Sequence, residues 1–354
     1  MLLVLALAAA LWGLGVVLKQ PVRRRLAALL ALWAGVVLAQ LVLPAGNGLR
    51  EATGGDARPW LVLGIVGALV MGYRWLLGVL RHRARPAAAP EPPRGNFRPA
   101  ELERYARHII LREIGGPGQK RLKQAKVLVV GAGGLGSPAL FYLAASGVGE
   151  IGVVDADTVD ASNLQRQIIH AEERIGMPKV FSAEMAVRAL NPFVDFRPYN
   201  RRLDEESAEA LIAAHDLILD GTDNFDTRYL VNRVAVRMGK PLISAAITQW
   251  EGQISLYDPA RGGPCYECVF PERPAPGMVP TCAEAGVAAP LPGVIGTMMA
   301  MEAVKEITGA GQGLRGRLMI HDALYAETRM ITVRPRPECP VCGGQHPEGA
   351  PRAS

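Results

Sequence analysis

The stretch KVLVVGAGGLGSPAL, residues 126–140, decides the fold of this chain. Its apolar first part predicts a short buried strand over 127–130, and a helix is expected over 136–146. Between them, Gly131, Gly133 and Gly136 have the G-x-G-x-x-G spacing. Glycines allow a tight turn and a close approach to a phosphate or ribose, and the helix N-terminus offers partial positive charge. The stretch, with Gly134, therefore predicts a nucleotide-binding loop, but it does not choose between NAD, FAD and ATP.

Apolar runs and helical patterns alternate through the residues that follow. We expect strands at 151–154, 217–219 and 242–245, and helices at 179–190 and 226–238. Such alternation predicts an α/β fold, a Rossmann-like and mainly parallel sheet with helices on both faces. Asp155 ends the second strand, about 20 residues after the glycines, where a carboxylate can bind ribose hydroxyls.

The segments SNLQRQ (162–167) and GMPKV (176–180) favour ATP among the nucleotides. They supply two cations and two amides, namely Asn163, Arg166, Gln167 and Lys179. A triphosphate needs converging cations because negative charge grows on its phosphates as a nucleophile attacks. A dinucleotide dehydrogenase has no general need for them. The alternative is a pair of solvated surface cations.

The motif DGTDNFDTR (220–228) follows the predicted strand at 217–219. Asp220, Asp223 and Asn224 would lie at the carboxyl edge of the sheet, where open α/β folds bind their ligands. A carboxylate there can hold Mg²⁺ on the phosphates. The alternative is helix capping, which is the simpler interpretation of Asp226 because it stands at the start of the predicted helix.

Two Cys-x-x-Cys pairs predict a structural zinc site. Cys265 and Cys268 form one pair, and Cys339 and Cys342 form the other. Each pair places two thiolates on one tight turn, so two turns supply four tetrahedral ligands. Metal pairs of this kind suit a reducing compartment better than a disulfide framework does. The fifth cysteine, Cys282, belongs to neither pair.

The N-terminal region is apolar and predicts a membrane anchor. Uncharged stretches at about 2–18, 26–44 and 60–80 are each near the length that crosses a bilayer as a helix. A cleaved signal peptide is the alternative for the first, although it lacks a positive n-region. A Pro- and Ala-rich linker (81–100), a nucleotide-binding domain (101–345) and a polar tail (346–354) are expected to follow.

Basic residues predict the orientation of this anchor. Lys19, Arg23, Arg24 and Arg25 follow the first stretch, and Arg81, Arg83 and Arg85 follow the third. The positive-inside rule then places the N-terminus outside and everything after residue 80 in the cytoplasm, on the inner membrane of a bacterial cell. The net charge of +6 is concentrated beside these stretches. Membrane lipid is thus an expected partner, and nucleic acid is not.

Taken together, these motifs resemble the HesA/MoeB/ThiF family of ubiquitin-activating-like adenylyltransferases. RYARHIILREIG, GAGGLG, SNLQRQ, DGTDN, EGQISLYD and CPVCGG occur in one order across about residues 100–345. The resemblance implies ATP- and Mg²⁺-dependent adenylation of the C-terminal glycine carboxylate of a small ubiquitin-like sulfur-carrier protein, releasing pyrophosphate. Members that serve molybdopterin or thiamine synthesis look most similar. The resemblance also implies a homodimer.

The resemblance further implies a role for each matching residue. Asp155 matches the ribose ligand, while Asn163, Arg166 and Lys179 match the triphosphate contacts. Asp223 matches the essential Mg²⁺-linked carboxylate, and Arg107 matches an arginine that reaches the phosphates from the other subunit. The four paired cysteines match structural zinc ligands.

Cys282 matches a cysteine on the loop that crosses the carrier tail. There it either forms a covalent acyl link or is dispensable, and a small apolar loop residue is the simplest interpretation. No sulfur-transfer domain follows Cys342, so any sulfur comes from a separate donor. Alternative functions are adenylation of another carboxylate, including one attached to tRNA, a membrane scaffold without catalysis, and an NAD-dependent oxidoreductase.

Overall fold

The computed structural model describes residues 2–18, 20–44, 46–83, 97–274 and 282–343. The side chains of residues 2, 23, 75, 77–83, 282 and 283 are not described. Most of the predicted linker and all of the predicted polar tail lie outside these residues. The chain divides into two compact units, Met1–Glu91 and Pro92–Ser354.

The described part of the first unit is helical. Its helices are α1 (Leu2–Val17), α2 (Val22–Val42), α3 (Gly48–Ala52) and α4 (Arg58–Arg83). Val4, Val36 and Trp60 are buried together, and Trp33 Nε1 donates to the Trp60 carbonyl oxygen over 2.9 Å. Most of the other large apolar side chains described here are exposed, as Leu41 is at 64%. The helices therefore leave most of their apolar surface uncovered by their own unit.

One helix in the described residues meets the length and composition of a membrane span. It is Arg24–Val42 within α2, with 19 residues and a mean hydropathy of 2.0. At about 1.5 Å per residue, the 16 residues of α1 fall short of a bilayer core. The third predicted span is helical within α4, but it runs into side chains outside the described part. The prediction of three spans is therefore corrected to one candidate span.

The second unit contains the predicted alternation of strands and helices. In chain order its elements are α5 (Pro99–Ile110), α6 (Gly115–Gln124), β1 (Lys126–Val130), α7 (Gly136–Ser146), β2 (Glu150–Val154), α8 (Lys179–Leu190), β3 (Asp195–Tyr199), α9 (Glu205–Ala213), β4 (Leu217–Asp220), α10 (Phe225–Arg237), β5 (Leu242–Ile247), β6 (Glu251–Tyr257), α11 (Tyr266–Val269), α12 (Cys282–Ala285), α13 (Pro290–Thr308), β7 (Arg317–Asp322) and β8 (Glu327–Thr332). The strands and helices expected from the sequence are confirmed, with ends that differ by one or two residues.

The described strands form one mixed sheet, in the order β3-β2-β1-β4-β5-β6-β7-β8. Neighbours from β3 to β5 are parallel, whereas β6, β7 and β8 continue the sheet in antiparallel register. The expected parallel sheet and C-terminal β region are thus two halves of a single layer. The strand order reverses between β1 and β4, and open α/β sheets bind ligands at such a switch point.

Helices cover both faces of the sheet, as predicted. Side chains of β1 alternate between two buried clusters. Val127 and Val129 pack with residues of α7, α8 and α13, and Leu128 and Val130 pack with residues of α9 and α10. This two-residue period is that of a strand buried on both sides, and it places the end of β1 in the middle of the domain.

Candidate functional site

The glycine loop joins β1 to α7 in a turn that only glycine permits. Gly131 has a φ of 94°, in the left-handed region that side chains disfavour. A Cβ on Gly136 would lie 1.9 Å from the carbonyl oxygen of Gly131, and one on Gly134 would lie 3.1 Å from Pro292 Cβ. Gly133 is more open, with Gln167 Nε2 3.8 Å from its Cβ position. The positive end of α7 therefore lies directly beside the carboxyl end of β1.

Asp155 is fixed against this loop. Its Oδ2 accepts from the Ala132 backbone N–H over 2.8 Å, and its Oδ1 accepts from the Asp157 N–H over 2.8 Å. Burial raises the pKa of the Asp155 carboxyl. Each oxygen keeps a second lone pair, so this carboxylate can still accept from ribose hydroxyls.

Lys179 is brought to the same edge through Asp157, which the sequence did not single out. The Lys179 side chain is only 7% exposed, and its Nζ lies 2.8 Å from Asp157 Oδ2. Its backbone N–H donates to the Asp157 carbonyl oxygen over 2.9 Å. The buried ammonium at the start of α8 is thereby held beside Asp157, two residues after Asp155.

Arg166 and Gln167 lie against the glycine loop, and Asn163 is bonded to Arg166. Arg166 Nη2 donates to Asn163 Oδ1 over 3.0 Å, and Arg166 Cδ is 3.7 Å from the Cβ position of Gly134. Gln167 is 4% exposed, and its Oε1 has no hydrogen-bond partner among the described residues. A buried acceptor without a partner costs free energy, and a hydroxyl or amino group of a bound nucleotide would satisfy it.

The turn after β4 packs directly on the glycine loop. Thr222 Cγ2 lies 3.3 Å from the Cβ position of Gly131, and Leu135 Cβ lies 3.1 Å from that of Gly221. Asp223 follows in this turn and is exposed. Asn224 caps α10, since its Oδ1 accepts from the Thr227 N–H over 3.0 Å. The switch point thus brings the exposed Asp223 carboxylate to the same edge as the cations.

The other two aspartates of the motif have structural roles. Asp220 is fully buried and accepts from Thr222 N–H over 3.0 Å and from Ser244 Oγ over 2.9 Å. Asp226 does not cap α10, because Asn224 does, and it forms an ion pair with Arg273 instead. Of the two carboxylates expected at the end of β4, only Asp223 is therefore exposed for Mg²⁺.

His170 also supports the glycine loop, a role that no motif in the sequence predicts. Its Nε2 lies 3.0 Å from the Ala132 carbonyl oxygen and its Nδ1 lies 2.9 Å from Ser182 Oγ. The carbonyl can only accept, so Nε2 carries the proton and Nδ1 accepts from the serine. Burial, with smaller effects of Lys179 and Arg174, lowers the pKa of His170 to about 4. Its position three residues after Gln167, close to the SNLQRQ segment, is the sequence feature that could have indicated this role.

Arg107 is not brought to the glycine loop of its own chain. It is exposed on α5, where Tyr105 Oη accepts from Asn191 Nδ2 over 2.8 Å and Tyr105 Cζ lies 2.6 Å from the Cβ position of Gly147. Gly147 and Asn191 end α7 and α8. Because α7 begins at the glycine loop and has 11 residues, its end lies about 16 Å from that loop.

The two cysteine pairs meet in one buried cluster. All four Sγ atoms lie within 4.8 Å of one another, with separations of 3.8 Å for Cys265–Cys268, 3.6 Å for Cys265–Cys339 and 3.4 Å for Cys268–Cys342. Zinc bonded to four sulfurs at about 2.3 Å would hold them about 3.8 Å apart, so this donor set fits zinc. The cluster packs on Val236 of α10 and so clamps the chain end to a helix.

One thiolate in this cluster is stabilised by its neighbours. The hydrogen bond from Cys265 Sγ lowers the pKa of Cys268 to about 4. Burial, with the hydrogen bond to Cys268, raises the pKa of Cys342 to about 12. The Arg336 backbone N–H also donates to Cys268 Sγ over 3.4 Å.

Cys282 is the predicted site residue about which the structure says least. It begins α12, but its side chain lies outside the described residues, as does the preceding segment 275–281. Both interpretations of its thiol stay predictions.

A sequence model described as the ThiF family matches residues 105–341, about two thirds of the chain. The chain belongs to the ThiF family. The matched region runs from α5 to the last cysteine pair. It includes the glycines, cations and carboxylates of the candidate site.

Relatives of this ThiF-family protein are similar over nearly their whole length. A sulfur carrier protein adenylyltransferase of Thermus thermophilus is 50% identical over 249 residues, covering 69% of this chain and 92% of the relative. A SAMP-activating enzyme E1 of Haloferax volcanii is 49% identical over 243 residues, covering 69% and 89%. Both similarities leave about a third of the present chain unmatched.

Solved structures confirm the fold of this family member. E. coli MccB, crystallised with MccA-N7isoASN, superposes with a TM-score of 0.61 at 24% identity, covering 68% of this chain and 74% of MccB. PaaA superposes with a TM-score of 0.59 at 21% identity, covering 85% and 90%. At these identities the likeness extends to the fold alone.

The buried neutral His170 predicts a pH-dependent stability of the ThiF-family protein. Its pKa is about 4 when folded and about 6.5 when unfolded, so between these values the unfolded state binds more protons. The stabilisation is complete above about pH 6.5 and is lost as pH falls towards 4. Between pH 7 and pH 5, the wild-type melting temperature should fall more than that of His170→Asn.

The matched control for this comparison is His321→Asn, at a partly exposed position on β7. It should keep the wild-type pH dependence of the melting temperature, measured by calorimetry on the full chain in detergent. Equal falls for wild type and His170→Asn would contradict a buried neutral imidazole.

Proposed function

We propose that this ThiF-family protein is an ATP- and Mg²⁺-dependent adenylyltransferase. It would transfer AMP to the C-terminal glycine carboxylate of a small ubiquitin-like sulfur-carrier protein. The observation that supports this most is the arrangement around the glycine loop at the switch point. Arg166 lies against the loop, Lys179 is held by Asp157 beside the loop-bound Asp155, and Asp223 follows the turn that packs on the loop. The names of the relatives support the same substrate class.

The residues at this edge suit an attack of one anion on another. A C-terminal carboxylate is ionised at neutral pH, so the reaction needs no general base. It needs positive charge around the phosphates, because charge develops there in the transition state. Arg166, Lys179 and the N-terminus of α7 supply it, and Gly133 leaves room for the backbone to approach a phosphate.

Asp223 and Asn224 would hold Mg²⁺ at this edge. Mg²⁺ prefers carboxylate and other oxygen ligands, and the exposed Asp223 fits that preference. When bound, Mg²⁺ neutralises charge on the triphosphate. Asn224 has its Oδ1 engaged in capping α10, so Asp223 is the principal ligand of the two.

A membrane scaffold without catalysis is the alternative from another class. A scaffold has no use for a buried ammonium held 2.8 Å from a carboxylate beside a nucleotide loop. Adenylation of a carboxylate attached to tRNA would use the same cations and Asp223. The named relatives favour a protein carrier.

The active form would be a homodimer that exchanges Arg107. Arg107 is exposed at the end of the domain away from the glycine loop, so its guanidinium is too distant to reach phosphates bound in its own chain. A second copy, related by a two-fold axis, could present it to the neighbouring site.

Two inactive variants should therefore restore each other. Asp223→Ala and Arg107→Ala should each lower carrier-dependent ATP–pyrophosphate exchange by orders of magnitude. The first removes the proposed Mg²⁺ ligand, and the second removes a cation that would contact the phosphates. Co-expressed as mixed dimers, they should recover up to about one quarter of the wild-type rate, because half of the dimers contain one intact site.

The matched control is Arg104→Ala on the same exposed helix, which should keep most of the exchange activity. Full activity in Asp223→Ala would contradict the catalytic assignment. If both variants lose activity and their mixed dimers recover none, the result would contradict only the exchange of Arg107 between subunits.

The four-cysteine cluster would bind one structural Zn²⁺. Purified full-length protein should contain about one zinc per chain by elemental analysis. Cys339→Ser should lose the zinc and lower the melting temperature, because a chelating ligand is removed from a buried set. Cys282→Ser should keep both. Wild-type protein without stoichiometric metal would contradict the zinc site.

The first unit would anchor the enzyme in the inner membrane, with the catalytic domain in the cytoplasm, where ATP is present. Because the basic residues 23–25 at the start of the single candidate span also favour the cytoplasm, this orientation requires α4 to return the chain to that side. The candidate span in α2 and the exposed apolar side chains of the helices support an apolar surrounding. A reporter fused after residue 83 should show cytoplasmic activity. Periplasmic activity of that fusion would contradict the orientation and remove access to ATP.

A further inference from the structure

Arg228 is a buried cation at the edge of the candidate site that has no role in nucleotide binding as described above. It is 4% exposed and lies in the first turns of α10. Its Nη1 donates to Ser244 Oγ over 2.7 Å, and its Nη2 donates to the Ala245 carbonyl oxygen over 2.8 Å. Nη2 also donates to the Thr222 carbonyl oxygen. One guanidinium thus joins the turn after β4 to the end of β5.

The backbone of Thr222 is held at both its N–H and its carbonyl oxygen. Its N–H donates to Asp220 Oδ1 over 3.0 Å, and its carbonyl oxygen accepts from Arg228. Asp220 Oδ2 lies 3.5 Å from Arg228 Nη1, and both groups are almost fully buried. Ser244 Oγ completes the network by donating to Asp220 Oδ2 over 2.9 Å. The carbonyl of Thr222 belongs to the peptide bond that leads into Asp223.

Arg228 also contacts an aromatic ring of the segment that carries Cys265 and Cys268. The Tyr266 ring lies 5.7 Å from the guanidinium carbon, within the range of a cation–π contact. Tyr266 directly follows Cys265, and its N–H donates to Asn232 Oδ1 over 2.9 Å. The cysteine cluster therefore places an aromatic ring against the group that holds the turn.

We propose that Arg228 is a positioning residue that fixes the turn carrying Asp223, and that the cysteine cluster supports it through Tyr266. The fork geometry matters, because a planar guanidinium can reach Ser244, Ala245 and Thr222 together while an ammonium cannot. The catalytic part of this inference rests on the proposed adenylation, whereas the ordering of the turn does not.

The test compares Arg228→Lys with Arg233→Lys, an exposed position on the same helix. Hydrogen–deuterium exchange is measured on the full chain in detergent, without nucleotide or Mg²⁺. Amides of residues 217–227 should exchange about tenfold faster in Arg228→Lys. The rate of ATP–pyrophosphate exchange at saturating ATP should fall by up to about 100-fold, with little change in the KM for ATP. Arg233→Lys should match wild type in each measurement.

Ser244→Ala provides a milder variant in case Arg228→Lys does not fold. It removes one acceptor of Arg228 and one donor to Asp220, and it should give smaller changes in the same directions. Tyr266→Leu should likewise speed exchange at 217–227. Wild-type exchange at 217–227 in a folded Arg228→Lys, or in Ser244→Ala if the lysine variant is unfolded, would overturn the proposal.

The kinetic readout separates this proposal from the proposed function. Faster amide exchange with an unchanged rate at saturating ATP would show that Arg228 orders the turn without positioning Asp223, which would overturn the catalytic part. An active Asp223→Ala would instead contradict the adenylation assignment and leave the amide-exchange result to decide the role of Arg228.

Discussion

The close approach between Gly136 and the carbonyl oxygen of Gly131 is the contact on which the site depends. A Cβ at position 136 would lie 1.9 Å from that oxygen, so no other residue allows α7 to begin there. The same turn leaves Gly131 against Thr222 and brings the turn after β4 onto the loop. Because of this contact, a helix N-terminus, two cations and one exposed carboxylate share a single edge of the sheet.

The two halves of the sheet serve this edge in different ways. The parallel half, β1 to β5, presents its strand ends and the loops that hold Asp155, Lys179 and Asp223. Beyond it, the antiparallel strands and the cysteine cluster add no cation to the glycine loop. The cluster packs on α10, and Tyr266 beside it lies against Arg228. The cysteine cluster is thus linked to the turn after β4 through buried contacts.

Much of this arrangement could be predicted from the sequence, because local patterns decide it. The G-x-G-x-x-G spacing between an apolar run and a helix predicts where β1 ends and where α7 begins. The Cys-x-x-Cys spacing predicts the cysteine cluster. Burial could not be predicted in the same way. Asp220 and Asp223 look alike in the motif, but only the three-dimensional contacts of Asp220 with Arg228 and Ser244 show that it is structural.

Long-range partners explain the other differences from the sequence predictions. His170 and Arg228 act on backbone carbonyls that are distant along the chain or on another element, and no spacing rule reveals such pairs. Asn224, and not Asp226, caps α10 because the helix begins one residue earlier than its pattern suggests. Hydropathy overstated the first membrane span because a stretch can be apolar along its length and still form a helix, here the 16 residues of α1, too short to cross a bilayer.

The fate of the α-phosphate tests the central claim most directly. The full-length protein in detergent would be incubated with a carrier ending in Gly-Gly and with ATP labelled at either the α- or the γ-phosphate. Adenylation predicts that α-label appears on the acid-precipitated carrier, sensitive to hydroxylamine, and that γ-label is released in pyrophosphate. γ-Label on the carrier, or its release as orthophosphate without α-label on the carrier, would contradict the assignment.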